Sequence, residues 1–523
     1  MVAKRAEGPV DLVIKEGEVV TPAGTARQWI AVNNSKIIAI GSNEIPPPQA
    51  KKNIDARGKH VLPGVIDNEH HPNVNPPEDL IFSETRASIA AGITTVGIEY
   101  ASTVFAKPKV EFPKPEEVPT FMEVLPNIKQ FETNKKIWTD YFFTPLLMNE
   151  AHTTEITDLA EKYGVTSFKF YQHCMRGEKI WDMWGVMKYL GMYYYDDGTI
   201  YRAMKNIAAL GSPAILLMHC ENWEIARVLK EELIAQGRSN PQAWHEHSPD
   251  FTEAGPTRNY AYYAKITGCP LMIRHVTVPD TFAAIRSARA EGVQIFGNSS
   301  HHYLTIPSIW RTNVPFRTPA HWPLMWEALR EGVIDCISSD CVYVDMPIQK
   351  VEEVERQMGR RLEETEGPLD ENGIRYPYNI FEGPAKSSVG GIMTRDGISG
   401  RAESLVPIML SEGVNKGRIS LKRFVEVMSE NPARLFGLYP KKGVIAIGSD
   451  ADFTIVDLNK TKKVTRDQLY TINAWSFWEG WKITGWPVMT IIRGNVMMEW
   501  LEGEPRPKIV GEPMGKYLPR KLG

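Results

Sequence analysis

VLPGVIDNEHH, residues 61–71, is an apolar run that ends on a carboxylate and two histidines. Four later runs share that design: VTSFKFY (165–171) with Lys169, AILLMHCE (214–221) with His219, LMIRHVTV (271–278) with His275 and VIDCISSD (333–340) with Asp340. GITTVGIEY (92–100), WTDYFFTPLL (138–147) and VQIFGNSS (293–300) fill the intervals. Eight strand candidates, mostly separated by helix-length segments, predict an α/β chain closed into a parallel (β/α)8 TIM-like barrel. In such a barrel the active site lies at the C-terminal strand ends, where His71, Lys169, His219, His275 and Asp340 all fall. Burying an uncompensated ammonium is unfavourable, so a lysine ending an apolar strand has no packing rationale. The pattern reads as a metal-dependent hydrolase.

The flanks differ from this core. Residues 1–60 and 441–505 hold short β-rich runs joined by Gly, Pro and Asn turns, which predicts one discontinuous β-sandwich built from both termini around a barrel over 61–440. The tail 506–523, EPRPKIVGEPMGKYLPRKLG without its first two residues, is Pro/Gly-rich and basic, and reads as an exposed arm gripping a neighbouring subunit. Two segments interrupt the repeat. Residues 175–204 are dense in Trp, Tyr and Met, and 341–400 contain the charged, helix-like VEEVERQMGRRLEETEG. Both follow strand ends, where insertions form a pocket rim. Trp181, Trp184, Tyr193, Tyr194 and Tyr195, with Trp223, are candidates for an aromatic pocket wall.

The 523 residues are 43% hydrophobic and 24% charged, with a net charge of −3. That balance gives no field favouring nucleic acid or an anionic membrane, and points to a small-molecule substrate. No run of about 18 apolar residues suggests a membrane span, and MVAKRAEGPVDLVIKEGE lacks the apolar core of a secretory signal. The five cysteines are odd in number and lack CxxC spacing, so they read as buried thiols of a cytoplasmic protein.

Strand alternation places Glu69 and His71 on one face with Asp67, and turns His70 away. Lys169 can serve a metal only if CO2 carbamylates it, giving a carboxylate that bridges two cations. His219 and His275 would hold one of them. Asp340 would bind the other and take the proton from a bridging water whose pKa the ions have lowered. Lys169 and Asp340 are thus the catalytic candidates. His173, His301 and His302 are candidates for the mouth.

PGVIDNEHH, TSFKFY, HCEN, RHVT and SSD resemble the strand-end motifs of the amidohydrolase superfamily, in its dihydropyrimidinase/hydantoinase branch. The resemblance continues through NVPFR (313–317), the long block 410–458 and GWPVMTIIRGN (485–495), and so covers nearly the whole chain. It implies a carboxylated Lys169, two divalent ions, zinc or manganese, a homotetramer, and hydrolysis of a cyclic amide, imide or ureide by a metal-bound hydroxide. Two departures stand out. The first strand of the family ends His-x-His, and here Glu69 takes the first of those places. Glu69 removes the last net positive charge from a two-ion site, favours a harder ion such as manganese, and leaves one ion as an alternative. Cys174 stands where a tyrosine donates to the developing oxyanion, a loss that typically slows such enzymes about 10²–10³-fold unless replaced. Tyr171, His173 or a tyrosine of 193–195 are the replacements at hand. Asn313 and Asp396 fall at substrate-reading positions, with His302 beside them. These departures keep a decarboxylase or C–C-cleaving reaction in view, and after it a non-catalytic scaffold.

Overall fold

The structure, a computed structural model, describes residues 8–71, 77–106, 117–128, 130–171, 196–238, 241–307, 314–342, 401–471 and 476–523. The predicted site residues His173, Cys174, Asn313 and Asp396 lie outside these residues, as do Trp181, Trp184, Tyr193–Tyr195 and the predicted helix within 341–400.

Both termini contribute to one nine-stranded sheet. From the N-terminal side come β1 (Val10–Thr21), β2 (Gly24–Asn33), β3 (Lys36–Ser42), β4 (Ala50–Asp55) and β5 (His60–Pro63). Between them and the C-terminal strands lie β6 (Val65–His71), β7 (Ile93–Tyr100), β8 (Asp140–Pro145), β9 (Ser167–Tyr171) and β10 (Ile215–His219). These are followed by β11 (Leu271–Arg274), β12 (Ile295–Ser300), β13 (Ile334–Ser338) and the two-residue β14 (Cys341–Val342). The chain returns to the terminal sheet with β15 (Phe453–Lys463), β16 (Lys482–Ile492), β17 (Asn495–Glu499) and β18 (Lys508–Ile509). The strand order there is β18-β17-β16-β15-β5-β1-β2-β3, with β4 beside β1. β5 is the seam, antiparallel to β15 through Leu62 and Thr454 and parallel to β1. The terminal sheet therefore takes in His60–Pro63 and Lys508–Ile509, moving the expected boundaries outward by a few residues. Over residues 12–14 and 29–32, alternate residues divide between two apolar clusters, Leu12, Ile14, Ile30 and Val32 in one, Val13, Trp29 and Ala31 in the other.

The central strands are parallel throughout and fall into two sheets, β14-β6-β7-β8 and β13-β12-β11-β10-β9. A parallel bridge between Leu146 and Lys169 links β8 to β9, and β14, directly after β13, pairs with β6. Helices Pro77–Ala90, Asp197–Leu210, Trp223–Ala235, Asp250–Thr267, Pro279–Ala290 and Trp322–Glu331 stand between strands and cover them. All eight residues of ITTVGIEY are buried, which explains continuous apolar runs rather than alternating ones. At the start of the strands, Ile66, Phe142, Ile215, Leu217, Met272 and Cys336 form a closed apolar cluster.

The tail corrects one expectation. It is no exposed arm but the floor of this apolar cluster. Leu518 belongs to it, and Arg520 is buried, donating from Nε to Gly164 O (3.0 Å), from Nη1 to Ser167 Oγ (2.9 Å) and from Nη2 to Phe143 O (2.8 Å). Tyr141 N donates to Lys516 O and Leu518 N to Tyr141 O, at 3.0 and 2.8 Å. Strand starts at the base of the parallel sheets present carbonyls and amides that need partners, and an irregular Pro/Gly segment can follow their edge where a regular element cannot.

Candidate metal and catalytic site

His71, Lys169, His219, His275 and Asp340 converge as the strand-end pattern requires, and each is buried. Glu69 sits at the centre. Its Oε1 lies 3.1 Å from Lys169 Nζ, 3.4 Å from His275 Nε2, 3.6 Å from Arg274 Nε and 3.7 Å from His71 Nε2. Its Oε2 accepts from Ser338 Oγ at 2.7 Å. His71 Nε2 is 3.3 Å from Asp340 Oδ1, and His275 Nδ1 is 4.0 Å from Asp340 Oδ2.

Local backbone irregularities make this convergence possible. The β6–β7 register slips between Asp67 and His70, so strict alternation fails there. Asp67 does not share the ligand face. Its Oδ2 lies 2.7 Å from His70 Nε2 and its Oδ1 accepts from Ser339 N, which makes His70 a buried supporting residue, as its position suggested. His275 and Asp340 have φ of 56° and 47°, the left-handed region that side chains with a Cβ rarely adopt. Consecutive strand residues face opposite ways. The turn at His275 breaks that rule, so Arg274 and His275 both reach Glu69. Strain of this kind persists where the surroundings over-determine it, typically at functional sites.

Burial would push the Lys169 ammonium down, but Glu99, Tyr171 and Glu69 beside it overcome that and raise its pKa above the ordinary lysine value. Lys169 Nζ lies 2.5 Å from Glu99 Oε2. Burial pushes the Glu69 carboxyl up, and Arg274, His275 and Lys169 outweigh it, holding Glu69 well below the usual carboxylate range. Burial lowers His219 and His275 to about 3, so both are neutral and can donate lone pairs. Glu69, His71 and Asp340 each offer a ligand atom within 4.8 Å of the others. Among the described residues, the Nδ1 atoms of His71 and His275 are buried without a hydrogen-bond partner. Oxygen and imidazole donors at this spacing, with unpaired ring nitrogens, fit a divalent cation.

His219 departs from the expected pairing. Its Nε2 lies 3.3 Å from Glu221 Oε2, while its ring is 5.0 Å from that of His275. Burial pushes the Glu221 carboxyl up to about 7, and Ser248 Oγ donates to it at 2.7 Å. The ring of Tyr171 lies 4.7 Å from Lys169 Nζ and 5.3 Å from the His219 ring. His302 is buried between Tyr303 (4.3 Å) and Phe316 (5.5 Å), and neither ring nitrogen has a hydrogen-bond partner among the described residues. His301 does not line a mouth: it stacks on Trp478 at 4.7 Å, and its Nε2 lies 2.9 Å from Ser404 Oγ. Trp223 is likewise core, with its ring 5.9 Å from that of His247. Cys220, Cys269, Cys336 and Cys341 are buried free thiols.

Glu99, Arg274, Glu221 and Ser338 were missed by sequence reasoning. The signal was present: Glu99 and Arg274 are charged residues in otherwise apolar strands, the same anomaly that singled out Lys169.

Residues 256–497 match the model of the Amidohydrolase family. The chain is 28% identical to an L-hydantoinase of Paenarthrobacter aurescens, covering 98% of both chains. It is 27% identical to a D-hydantoinase of Ralstonia pickettii, covering 98% of this chain and 99% of the relative. A solved D-hydantoinase structure superimposes with a TM-score of 0.76 at 25% identity, over 98% of this chain and 99% of that one. The chain is thus similar over nearly its whole length to hydantoinases, and its C-terminal half matches the Amidohydrolase family.

Proposed function

We propose that this protein is a metal-dependent hydrolase that opens a C–N amide bond in a cyclic amide, imide or ureide. The observation that carries the reading is the buried convergence of Glu69, His71 and Asp340 from two ends of the strand series, with His219 and His275 alongside. End-to-end similarity to hydantoinases supports it. The closed (β/α)8 barrel belongs to the same proposal, supported by the Leu146–Lys169 bridge and the β14–β6 pairing.

Glu69, His71 and Asp340 would hold one divalent ion, manganese or zinc. A second would sit against His219 and His275, provided Lys169 is carboxylated and no longer a cation. The bound metal supplies Lewis acidity, activating water and polarising the ring carbonyl. Asp340 accepts the proton of the attacking water and delivers it to the departing ring nitrogen. The water oxygen bonds to the carbonyl carbon, the C–N bond breaks, and a ring-opened acid leaves. Tyr171 takes the place of the missing tyrosine, its hydroxyl donating to the carbonyl oxygen as charge develops there. A homo-oligomer, a tetramer by resemblance, is the accompanying proposal, and light scattering decides it.

Metal analysis and substrate assays test the reading together. Purified protein should contain stoichiometric manganese or zinc, convert hydantoin or dihydrouracil to the ring-opened acid, and lose activity to a chelator. Intact mass reports carboxylation of Lys169. CO2 release from ring carboxylates without amide opening would transfer the site to decarboxylation, the chemistry that Glu69 at a histidine position keeps in view. Protein without stoichiometric metal would leave a scaffold.

A further inference from the structure

Behind the proposed ligands lies a closed ring of four buried charges of alternating sign. Lys169 Nζ meets Glu69 (3.1 Å) and Glu99 (2.5 Å). Arg274 faces the same two carboxylates from the other side, through Nε to Glu69 Oε1 (3.6 Å) and through Nη2 to Glu99 Oε1. All four side chains are fully buried. Arg274 is also tied to the β6 bulge: Nη2 donates to Asn68 O at 2.9 Å and Nη1 to Asn68 Oδ1. Glu99 Oε2 in turn lies 3.5 Å from His71 Nε2. Glu99 and Arg274 thus touch Glu69, His71, Lys169 and the backbone of Asn68, just before Glu69.

We propose that Glu99 and Arg274 are positioning residues that act as one unit, setting where Glu69, His71 and Lys169 stand for the metal. The inference rests on the metal-dependent reading of the site. Taken as a pair they add no net charge, so their effect on the cation is through geometry. Arg274 is suited to it because a planar guanidinium can grip a carboxylate and the Asn68 amide at once, which a lysine ammonium cannot do in one geometry. The left-handed backbone at His275 is what lets this arginine and its neighbouring ligand share one centre.

The test is Mn2+ binding by calorimetry on chelator-stripped protein, beside thermal unfolding. The double variant Glu99→Gln with Arg274→Gln keeps the net charge of the site. Its Mn2+ affinity should fall about 10–100-fold, the range seen when outer partners of ligands are removed. Arg274→Lys and Glu99→Asp, which keep each charge, should each fall by less, with Arg274→Lys the worse for losing its fork. A purely structural pair predicts lowered unfolding temperatures and wild-type affinity in every variant that folds, and that result would overturn the proposal. Should the double variant not fold, the two conservative variants decide the matter by the same criterion. Wild-type protein that takes up no stoichiometric Mn2+ overturns the metal reading and this inference together. Full wild-type binding with unaffected variants overturns this inference alone.

Discussion

Two buried carboxylate clusters lie at opposite ends of the parallel strands, and the protein's own cations fill them to different degrees. At the C-terminal ends, Glu69, His71 and Asp340 converge within 4.8 Å. At the other end, where β8 starts, Asp140 meets Asp450 and Asp452 of the terminal sheet's approach at the same spacing. There Lys442 Nζ sits 2.6 Å from Asp140, 3.0 Å from Asp450 and 2.5 Å from Asp452. Arg493 adds a guanidinium contact to Asp140, and Lys516 N donates to its Oδ1 at 2.9 Å. A protein cation stands where an ion would. In the upper cluster Lys169 is drawn to Glu99 and Glu69, and Asp340 meets imidazoles instead. Grouped carboxylates therefore do not define a metal site. What differs is how completely the protein's own cations fill each one: Lys442 touches all three carboxylates below, whereas above Lys169 and Arg274 reach Glu69 and imidazoles face Asp340.

The largest effect should come from the upper cluster. Asp340→Asn preserves shape and removes the base, so kcat for ring opening should fall about 10²–10⁴-fold, with metal content retained by elemental analysis. Near-normal kcat in that variant would move the proton transfer to another group.

Lys442 sharpens the comparison from below. Removing one partner of a buried ion cluster leaves uncompensated charge, so Lys442→Met should destabilise by about 3–5 kcal/mol, read from urea unfolding. Lys442→Ala goes further, because it empties the position between three carboxylates. Ca2+ should then raise the unfolding temperature of the variant and leave that of the wild type unchanged. A variant indifferent to Ca2+ would break the comparison, since spacing and vacancy together would still not suffice.

Leu518→Ala should be smaller, about 2–5 kcal/mol before any collapse of the cavity it leaves. Leu518 closes the apolar floor formed by Phe142, Leu217 and Met272. Activity per folded molecule should not change, because the floor and the site share only the strands between them. A lowered kcat at unchanged stability would show that the two ends are coupled.

The fate of the sequence reading follows from what alternation can encode. Apolar runs ending in His71, Lys169, His219, His275 and Asp340 located the site because strand ends of parallel sheets point one way. Parity with His71 predicts Glu69 as a ligand, but the same parity puts Asp67 on that face, and the register slip between Asp67 and His70 leaves Asp67 on His70 instead. The bulge at Asn68, and the left-handed turns at His275 and Asp340, are departures from regular strands, and no residue in those stretches announces them. Without them Arg274 faces away from the ligands, so its role was invisible. Glu99 was readable as a charge in an apolar strand but lacked a ligand's usual neighbours. The tail misled because Pro, Gly and Lys are common in exposed arms. Its two decisive contacts, Leu518 and Arg520, are single residues without a period to reveal them.

Another buried carboxyl, held by backbone amides with the Arg86 charge acting on it, supplies the smallest and most pH-specific prediction. Glu403 accepts from Tyr470 N (3.0 and 2.8 Å) and Thr471 N (3.1 Å). Burial outweighs those donors and pushes its pKa from 4.5 up to about 8. The sign follows from proton counting. Between pH 4.5 and 8 the folded carboxyl keeps a proton that the unfolded chain releases, so this group's stabilisation declines as pH rises through that window. It is fully present below the window and lost above it. Glu403→Gln mimics the protonated form at every pH and removes the decline. Unfolding temperatures of wild type and variant, measured across the window, should therefore diverge steadily with rising pH in favour of Gln, at no more than about 1.4 kcal/mol per pH unit. Parallel curves would mean that Glu403 is ionised in the folded protein, and that the amides of Tyr470 and Thr471 stabilise its charge without any metal or lysine. A buried carboxylate could then be tolerated here on amides and the Arg86 charge, and the distinction drawn between more and less filled clusters would need donors counted as well as cations.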